Sequence, residues 1–114
     1  MFDYLAYNEL RGMVVVRIWE GRVPKEKADE YGKFLIERAV PDYKSVPGNL
    51  GVYILKREEG NAVKFMIITL WQDIDSIKVF AGEDYEKTKY YPEDEDFLLE
   101  FPEKVRHYEL LYRE

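Results

Sequence analysis

The stretch LGVYILKREEGNAVKFMIITLW, residues 50–71, decides the fold. Leu50 to Glu58 and Ala62 to Trp71 are rich in β-branched and aromatic residues. Between them Glu59-Gly60-Asn61 is a short polar loop with the glycine that hairpin turns favour, so two antiparallel strands are expected. Upstream, Met13-Val-Val-Val-Arg-Ile-Trp-Glu20 reads as a strand that ends at Gly21. Pro24 then sits where a helix can start, and Ala28, Tyr31, Leu35 and Ala39 recur at i, i+3, i+7 and i+11, predicting a helix over residues 25–40. Pro41 reads as its stop, and residues 41–49, with Pro47-Gly48-Asn49, as a loop. Downstream, Asp73 or Asp75 caps a second helix through Phe80, with Gly82 as its stop. Residues 83–91 read as a further helical turn or two, Pro92-Glu-Asp-Glu-Asp96 as an acidic connection, and residues 104–112 as a last strand. The order β-α-β-β-α-β is the ferredoxin-like member of the α+β class: a four-stranded antiparallel sheet, strand order 4-1-3-2, with both helices on one face.

The chain has 114 residues, 17 basic and 23 acidic, for a net charge of −6. That length suits one domain, expected over residues 13–114, with residues 1–12 as a loose N-terminal arm. The acidic balance argues against nucleic acid or an anionic membrane surface as a partner. With no cysteine and one histidine, thiolate catalysis and transition-metal sites have almost no ligands to draw on. No apolar run approaches the length of a membrane span and the first residues do not suit a signal peptide, so a cytoplasmic protein is expected.

Residues two apart on a strand share a face. One set, Val14, Val16, Ile18, Val52, Ile54, Met66, Ile68, Leu70, Tyr108 and Leu110, is almost wholly apolar and is expected beneath the helices. The other collects Val15, Arg17 and Trp19; Tyr53, Leu55 and Arg57; Phe65, Ile67, Thr69 and Trp71; and Val105, His107 and Glu109. Left in water, its aromatic and aliphatic members would form a large apolar patch, which usually marks an interface or a ligand site. A homodimer sealed by two such faces is expected, and any space left between them would suit a small hydrophobic or aromatic ligand.

These elements resemble the antibiotic biosynthesis monooxygenase superfamily, the dimeric α+β barrel proteins. The likeness is carried by the strand Met13–Glu20, by Val40-Pro-Asp-Tyr43 followed by Pro47-Gly-Asn-Leu-Gly-Val-Tyr53, and by Phe65–Trp71 running into the second helix. Tyr90-Tyr-Pro-Glu-Asp-Glu95 and Val105-Arg-His-Tyr-Glu109 resemble an uncharacterised small-protein branch. The resemblance covers about residues 13–112 and implies a family that spans cofactor-free oxygenases, haem-degrading enzymes, isomerases and proteins without assigned activity. The haem degraders use an Asn on the first strand, a Trp in the second helix and a His soon after it. The matching positions here hold Arg17, Phe80 and Tyr90, so no haem or other cofactor is expected.

Among candidate catalytic groups His107 comes first, because a neutral imidazole can take a proton from an acidic phenol or enol, the step a cofactor-independent monooxygenase needs before oxygen attacks the carbanion. Glu109 shares its face. Arg17 and Arg57 are candidates to stabilise the developing enolate. Trp19, Tyr53 and Trp71 are candidates to stack on a planar ring, with Phe65, Thr69 and Phe80 lining the same space. Tyr90 and Tyr91, just before Pro92, are candidates to gate it. Asp94, Glu95 and Asp96 read as a solvated loop or helix start rather than a cation site. Three functions stay open at this level: an enzyme, a non-catalytic binder of a hydrophobic ligand or haem, and a dimer with no ligand.

Overall fold

The computed structural model describes residues 14–114, so the arm expected over residues 1–12 lies outside the described residues. Four antiparallel strands, β1 (Val15–Pro24), β2 (Asn49–Glu59), β3 (Ala62–Trp71) and β4 (Arg106–Glu109), form one sheet in the order β2-β3-β1-β4. This is the expected topology. Gly60, at φ +63°, closes the β2–β3 hairpin in the left-handed region that glycine enters without steric cost. Strand β1 runs on through Gly21 to Pro24, and the last strand is shorter than the expected 104–112.

The first helix, α1, spans residues 25–44 in four joined pieces: a 3-10 turn Lys25–Lys27, an α segment Ala28–Phe34, a widened π segment Leu35–Ala39 and an α segment Val40–Lys44. The expected stop at Pro41 is therefore overturned. A proline inside a helix has no N–H to give and its ring crowds the carbonyl four residues back. Here the widened turn just before it, in which the Val40 N–H reaches the Leu35 carbonyl, accommodates the ring and the helix continues. Ala28, Tyr31, Leu35 and Ala39 all face the core as their spacing predicts, and the extension adds Tyr43 one turn later.

The second helix, α2 (Ile74–Ala81), starts at Asp73, whose Oδ1 accepts hydrogen bonds from the Ser76 N–H at 2.8 Å and the Ser76 hydroxyl at 2.7 Å. It ends at Gly82, φ +94°. The helical turns expected over residues 83–91 are not formed. That segment instead lies along the stretch before β4, with Thr88 N–H bonded to the Glu103 carbonyl and Val105 N–H to the Glu86 carbonyl. A 3-10 turn, Pro92–Asp96, occupies the acidic connection. Asp94 in it is buried, its Oδ1 accepting from the Tyr31 hydroxyl at 2.8 Å and its Oδ2 from the Tyr91 N–H at 2.7 Å, so this carboxylate ties the connection to α1.

The registers fix which residues share a face. Arg17 lies opposite Thr69 and His107, Trp19 opposite Ile67, and Gly21 opposite Phe65. Val52 and Ile54 pair with Thr69 and Ile67, whereas Tyr53 and Leu55 pair with Ile68 and Met66. The core beneath the helices contains Val15, Trp19, Val23, Phe65, Ile67, Trp71 and Val105. The expected assignment of faces is thus inverted on β1, β3 and β4 and holds only on β2. The uncovered face instead carries Val16, Ile18, Met66 and Ile68, half-buried, with Tyr53, Leu55 and Tyr108 exposed.

Candidate functional site

The inversion moves the site. Arg17, Trp19, Phe65, Thr69, Trp71 and His107 do not lie between two sheets but within one chain, under α1 and α2. At its centre is Arg17, 1% exposed on a central strand. Burial lowers its pKa, while the neighbouring phenols Tyr43 and Tyr91 act the other way. No acidic side chain among the described residues pairs with it, and its Nε and Nη2 are buried without a hydrogen-bond partner. Beside it on β4, half-buried His107 has Nε2 in the same condition, and the Tyr85 ring meets the imidazole edge-on at 5.1 Å. Burial lowers the His107 pKa, the Arg17 charge lowers it further, and Glu86 opposes both.

Aromatic rings wall the guanidinium. Phe80 of α2 lies 5.5 Å from it and stacks on Tyr43 of α1 at 4.4 Å, and Trp71 meets Phe80 at 5.7 Å. Trp71 Nε1 donates to Thr69 Oγ1 at 2.8 Å, and that hydroxyl reaches the Arg17 carbonyl at 3.4 Å, so Thr69 holds the wall in place and has no hydrogen to spare. Trp19 lies on the same face, two residues from Arg17, its Nε1 buried and unpartnered. Its indole lies so close to Gly21 that a Cβ there would come within 2.4 Å of the ring; only glycine admits this approach.

The rim is polar. Tyr91 donates to Asp42 Oδ2 at 2.6 Å, and Lys89 donates to the same oxygen at 3.2 Å while its Nζ sits 4.1 Å from the centre of the Phe80 ring. Burial alone would raise the Asp42 pKa, but the hydrogen bonds from Tyr91 and Lys89 and the charges of Lys89 and Arg38 outweigh it and hold the carboxyl below its ordinary value. Tyr43, also buried, is pushed up to about 12 and stays a neutral phenol. Because the Asp42 pKa is lower in the folded chain than in the unfolded one, its stabilising effect is complete above the unfolded value, about 3.9, and is lost as pH falls through the folded one. Asp42→Ala, which strands the Tyr91 hydroxyl, is expected to cost about 1–2 kcal/mol at pH 7. As pH falls below about 4 the contribution of the Asp42 charge is lost, so urea titrations of the two proteins should draw closer there.

Other sequence candidates lie elsewhere. Tyr53 and Arg57 are on the uncovered face, and Arg57 pairs with Glu59 at 2.7 Å in solvent. Phe65 packs edge-on against Tyr31 at 5.3 Å, as core. Tyr90 packs edge-on against Phe101 and its hydroxyl donates to the Pro102 carbonyl. Glu109 is exposed at the end of β4, opposite Val15. Asp94 bonds to Tyr31 and Tyr91, and no acidic or histidine cluster suited to a metal occurs among the described residues. Tyr43, Asp42, Tyr85 and Lys89 were not among the site candidates read from the sequence, although Asp42 and Tyr43 lie in a segment that carries the family resemblance. For Tyr43 the signal was present, as the next step of the series 28, 31, 35, 39, but reading Pro41 as a stop hid it. A separate open groove of about 490 Å³ runs between α1 and β2, past Gly32, Ile36, Ile54 and Phe65, on the same helix-covered face but at the opposite edge of the sheet from the strand that carries His107.

A ferredoxin-like sheet whose helix-covered face carries a buried, unpaired cation among aromatic rings defines a small α+β protein with a polar site in its interior. The chain belongs to the antibiotic biosynthesis monooxygenase family, which matches residues 13–88. Its fold is similar to that of a haem-degrading protein of Mycobacterium tuberculosis in a haem-free crystal structure, at 20% identity over 89% of this chain and 98% of that one, TM-score 0.61. It is also similar to a Nitrosomonas europaea protein of unknown function, at 14% identity over 90% and 92%, TM-score 0.65. A Streptomyces coelicolor monooxygenase in complex with nanaomycin D shares the fold at 13% identity over 94% and 93%, TM-score 0.52. None of the curated proteins matches the chain. No helix among the described residues is long and apolar enough to cross a membrane.

Proposed function

We propose that this protein is a cytoplasmic, cofactor-independent monooxygenase acting on an aromatic or enolic compound, and that it works as a homodimer joined through its uncovered sheet faces. The observation that carries the enzymatic reading is the cross-strand pair Arg17–His107 on the helix-covered face, each with buried nitrogen atoms that nothing in the described chain satisfies. Buried polar groups are nearly always paired, and an exception calls for a ligand, a water or a chemical role.

In this reading His107 Nε2 takes the proton of a phenolic or enolic hydroxyl. The lowered pKa keeps the imidazole neutral at pH 7 and so ready to accept it. Arg17 lies beside the anion that forms, at low dielectric, where a fixed cation acts far more strongly than in water. Phe80 and Tyr43 hold the ring. The anion then reacts with dioxygen: one oxygen atom becomes a ring carbonyl and the other leaves as water, the ring supplying the two electrons, so that phenol and dioxygen give quinone and water.

Oxygen uptake and product analysis with polycyclic phenols and hydroxyquinones, nanaomycin D among the ligands tried, test this directly. Stoichiometric oxygen consumption without added metal, flavin or haem is expected. In a parallel haem titration no saturable Soret shift is expected, since Arg17, Phe80 and Tyr90 stand at the positions compared above. A tight one-to-one haem complex that turns over with a reductant would replace this reading by the haem-degrading one.

A further inference from the structure

We infer that the ligand of this site carries a carboxylate, which docks side-on against Arg17; the inference rests on the aromatic-ligand reading above and adds the anionic group. The two unpartnered atoms are Nε and Nη2, the pair that forms one edge of the guanidinium. The same chain shows what that edge does when it is satisfied. In Arg22, Nε donates to Glu100 Oε1 at 2.6 Å and Nη2 to Oε2 at 3.3 Å, two bonds to the two oxygens of one carboxylate. Arg22 does this in solvent, where it gains little. Arg17 presents the same fork while 1% exposed and without a carboxylate among the described residues.

A guanidinium cannot shed its charge, so leaving this fork empty in the interior is costly. The adjacent Tyr43 phenol offers one oxygen for two donors and keeps its own proton. Thr69 is committed to Trp71, and Asp42 to Tyr91 and Lys89. A planar group with two oxygens and one negative charge matches both the geometry and the single unbalanced cation. Phe80 over that guanidinium, with Tyr43 and Trp71 packed against Phe80, makes the rest of the ligand a flat apolar body. The class is an aromatic or enolic acid, with the carboxylate on Arg17 and its ring beside His107.

Three probes of one shape separate the claims: 2-naphthoate, its neutral isostere 2-naphthamide, and 2-naphthol, each titrated into the full chain by calorimetry and by quenching of tryptophan fluorescence. The acid is expected to bind about tenfold or more tighter than the amide, the scale of a charge-assisted hydrogen-bond pair. Arg17→Gln should bring that ratio near one. Arg17→Lys, which keeps the charge and loses the fork, should forfeit most of the preference. Equal affinity for acid and amide overturns the carboxylate while leaving the aromatic site standing. Persistence of the preference in Arg17→Gln overturns the assignment to Arg17. If none of the three binds, the aromatic-ligand reading falls as well. Should circular dichroism show Arg17→Gln unfolded, the native acid-to-amide ratio and Arg17→Lys still decide.

Discussion

His107→Ala is expected to lower turnover on an identified substrate by about 10²–10⁴-fold, the usual scale for loss of a general base, with the circular dichroism spectrum and oligomeric state unchanged. The residue sits near the end of a short strand and is half-buried, so removing its ring opens little of the core. It is the only histidine, and its Nε2 has no hydrogen-bond partner among the described residues. Burial and the Arg17 charge both depress its pKa, so activity should hold across neutral pH and fall only in acid, below the ordinary histidine value of about 6.5. His107→Gln separates the roles: it retains a hydrogen bond and cannot accept a proton at comparable pH. If both variants kept full oxygen uptake, the imidazole would be a packing group against Tyr85 and the catalytic assignment would be wrong.

The order of elements was legible because local signals agreed with one another. The hairpin glycine, the Asp73 cap, the Gly82 stop and the helical spacing from Ala28 to Ala39 each act within a few residues, and each is found in place. Pro41 was misread because its cost is conditional. A widened turn ahead of it removes the clash, and nothing in the local sequence announces that turn. Residues 83–91 were misread because their backbone partners lie on the stretch before β4, well along the chain.

Which sheet face is covered was a harder question. Both faces of β1 and β3 are apolar through the middle, so alternation gives the parity of each strand but not its side. Arg17, Thr69 and His107 were expected between two packed sheet faces, and they are instead the polar content of a site inside one chain. The deciding residues lie at the strand ends. Glu20, Arg22, Lys64 and Arg106 share parity with Val16, Ile18, Met66 and Tyr108, and Glu20 bridges Lys64 at 3.2 Å and Arg106 at 3.0 Å across the uncovered face. On the other parity the matching positions are Gly21, Val23, Val63 and Phe65, which have no charge to bury. Read out to their ends, the strands would have named the covered side. Arg17 and His107, by contrast, share a face on strands that the order 4-1-3-2 makes neighbours, and the β1–β4 register sets them directly opposite each other.

The adjacent residues Ile67 and Ile68 allow both the face assignment and the homodimer to be tested by one substitution each. Ile67 is buried beneath the helices, opposite Trp19 and Ile54. Ile68 points the other way, opposite Ile18 and Tyr53, at the centre of the uncovered face. Two such faces packed together would remove Ile18, Met66, Ile68, Tyr53 and Leu55 from water, at roughly 25 cal/mol for each Å² of apolar surface. An aspartate at position 68 would put an unpaired charge in that contact from each protomer, at a cost of about 3–5 kcal/mol per charge, so with two charges the dimer constant should weaken by about 10⁴-fold or more. Ile68→Asp is therefore expected to sediment as a folded monomer, with native circular dichroism and a small loss of thermal stability. Ile67→Asp, one residue away, is expected to fail to fold, because there the charge enters the core of the subunit itself. A native protein that sediments as a monomer at micromolar concentration, or an Ile68→Asp chain that stays dimeric, would remove the uncovered face as the interface. If Ile67→Asp folded and dissociated while Ile68→Asp behaved as native, the two faces of the sheet would have to be exchanged again.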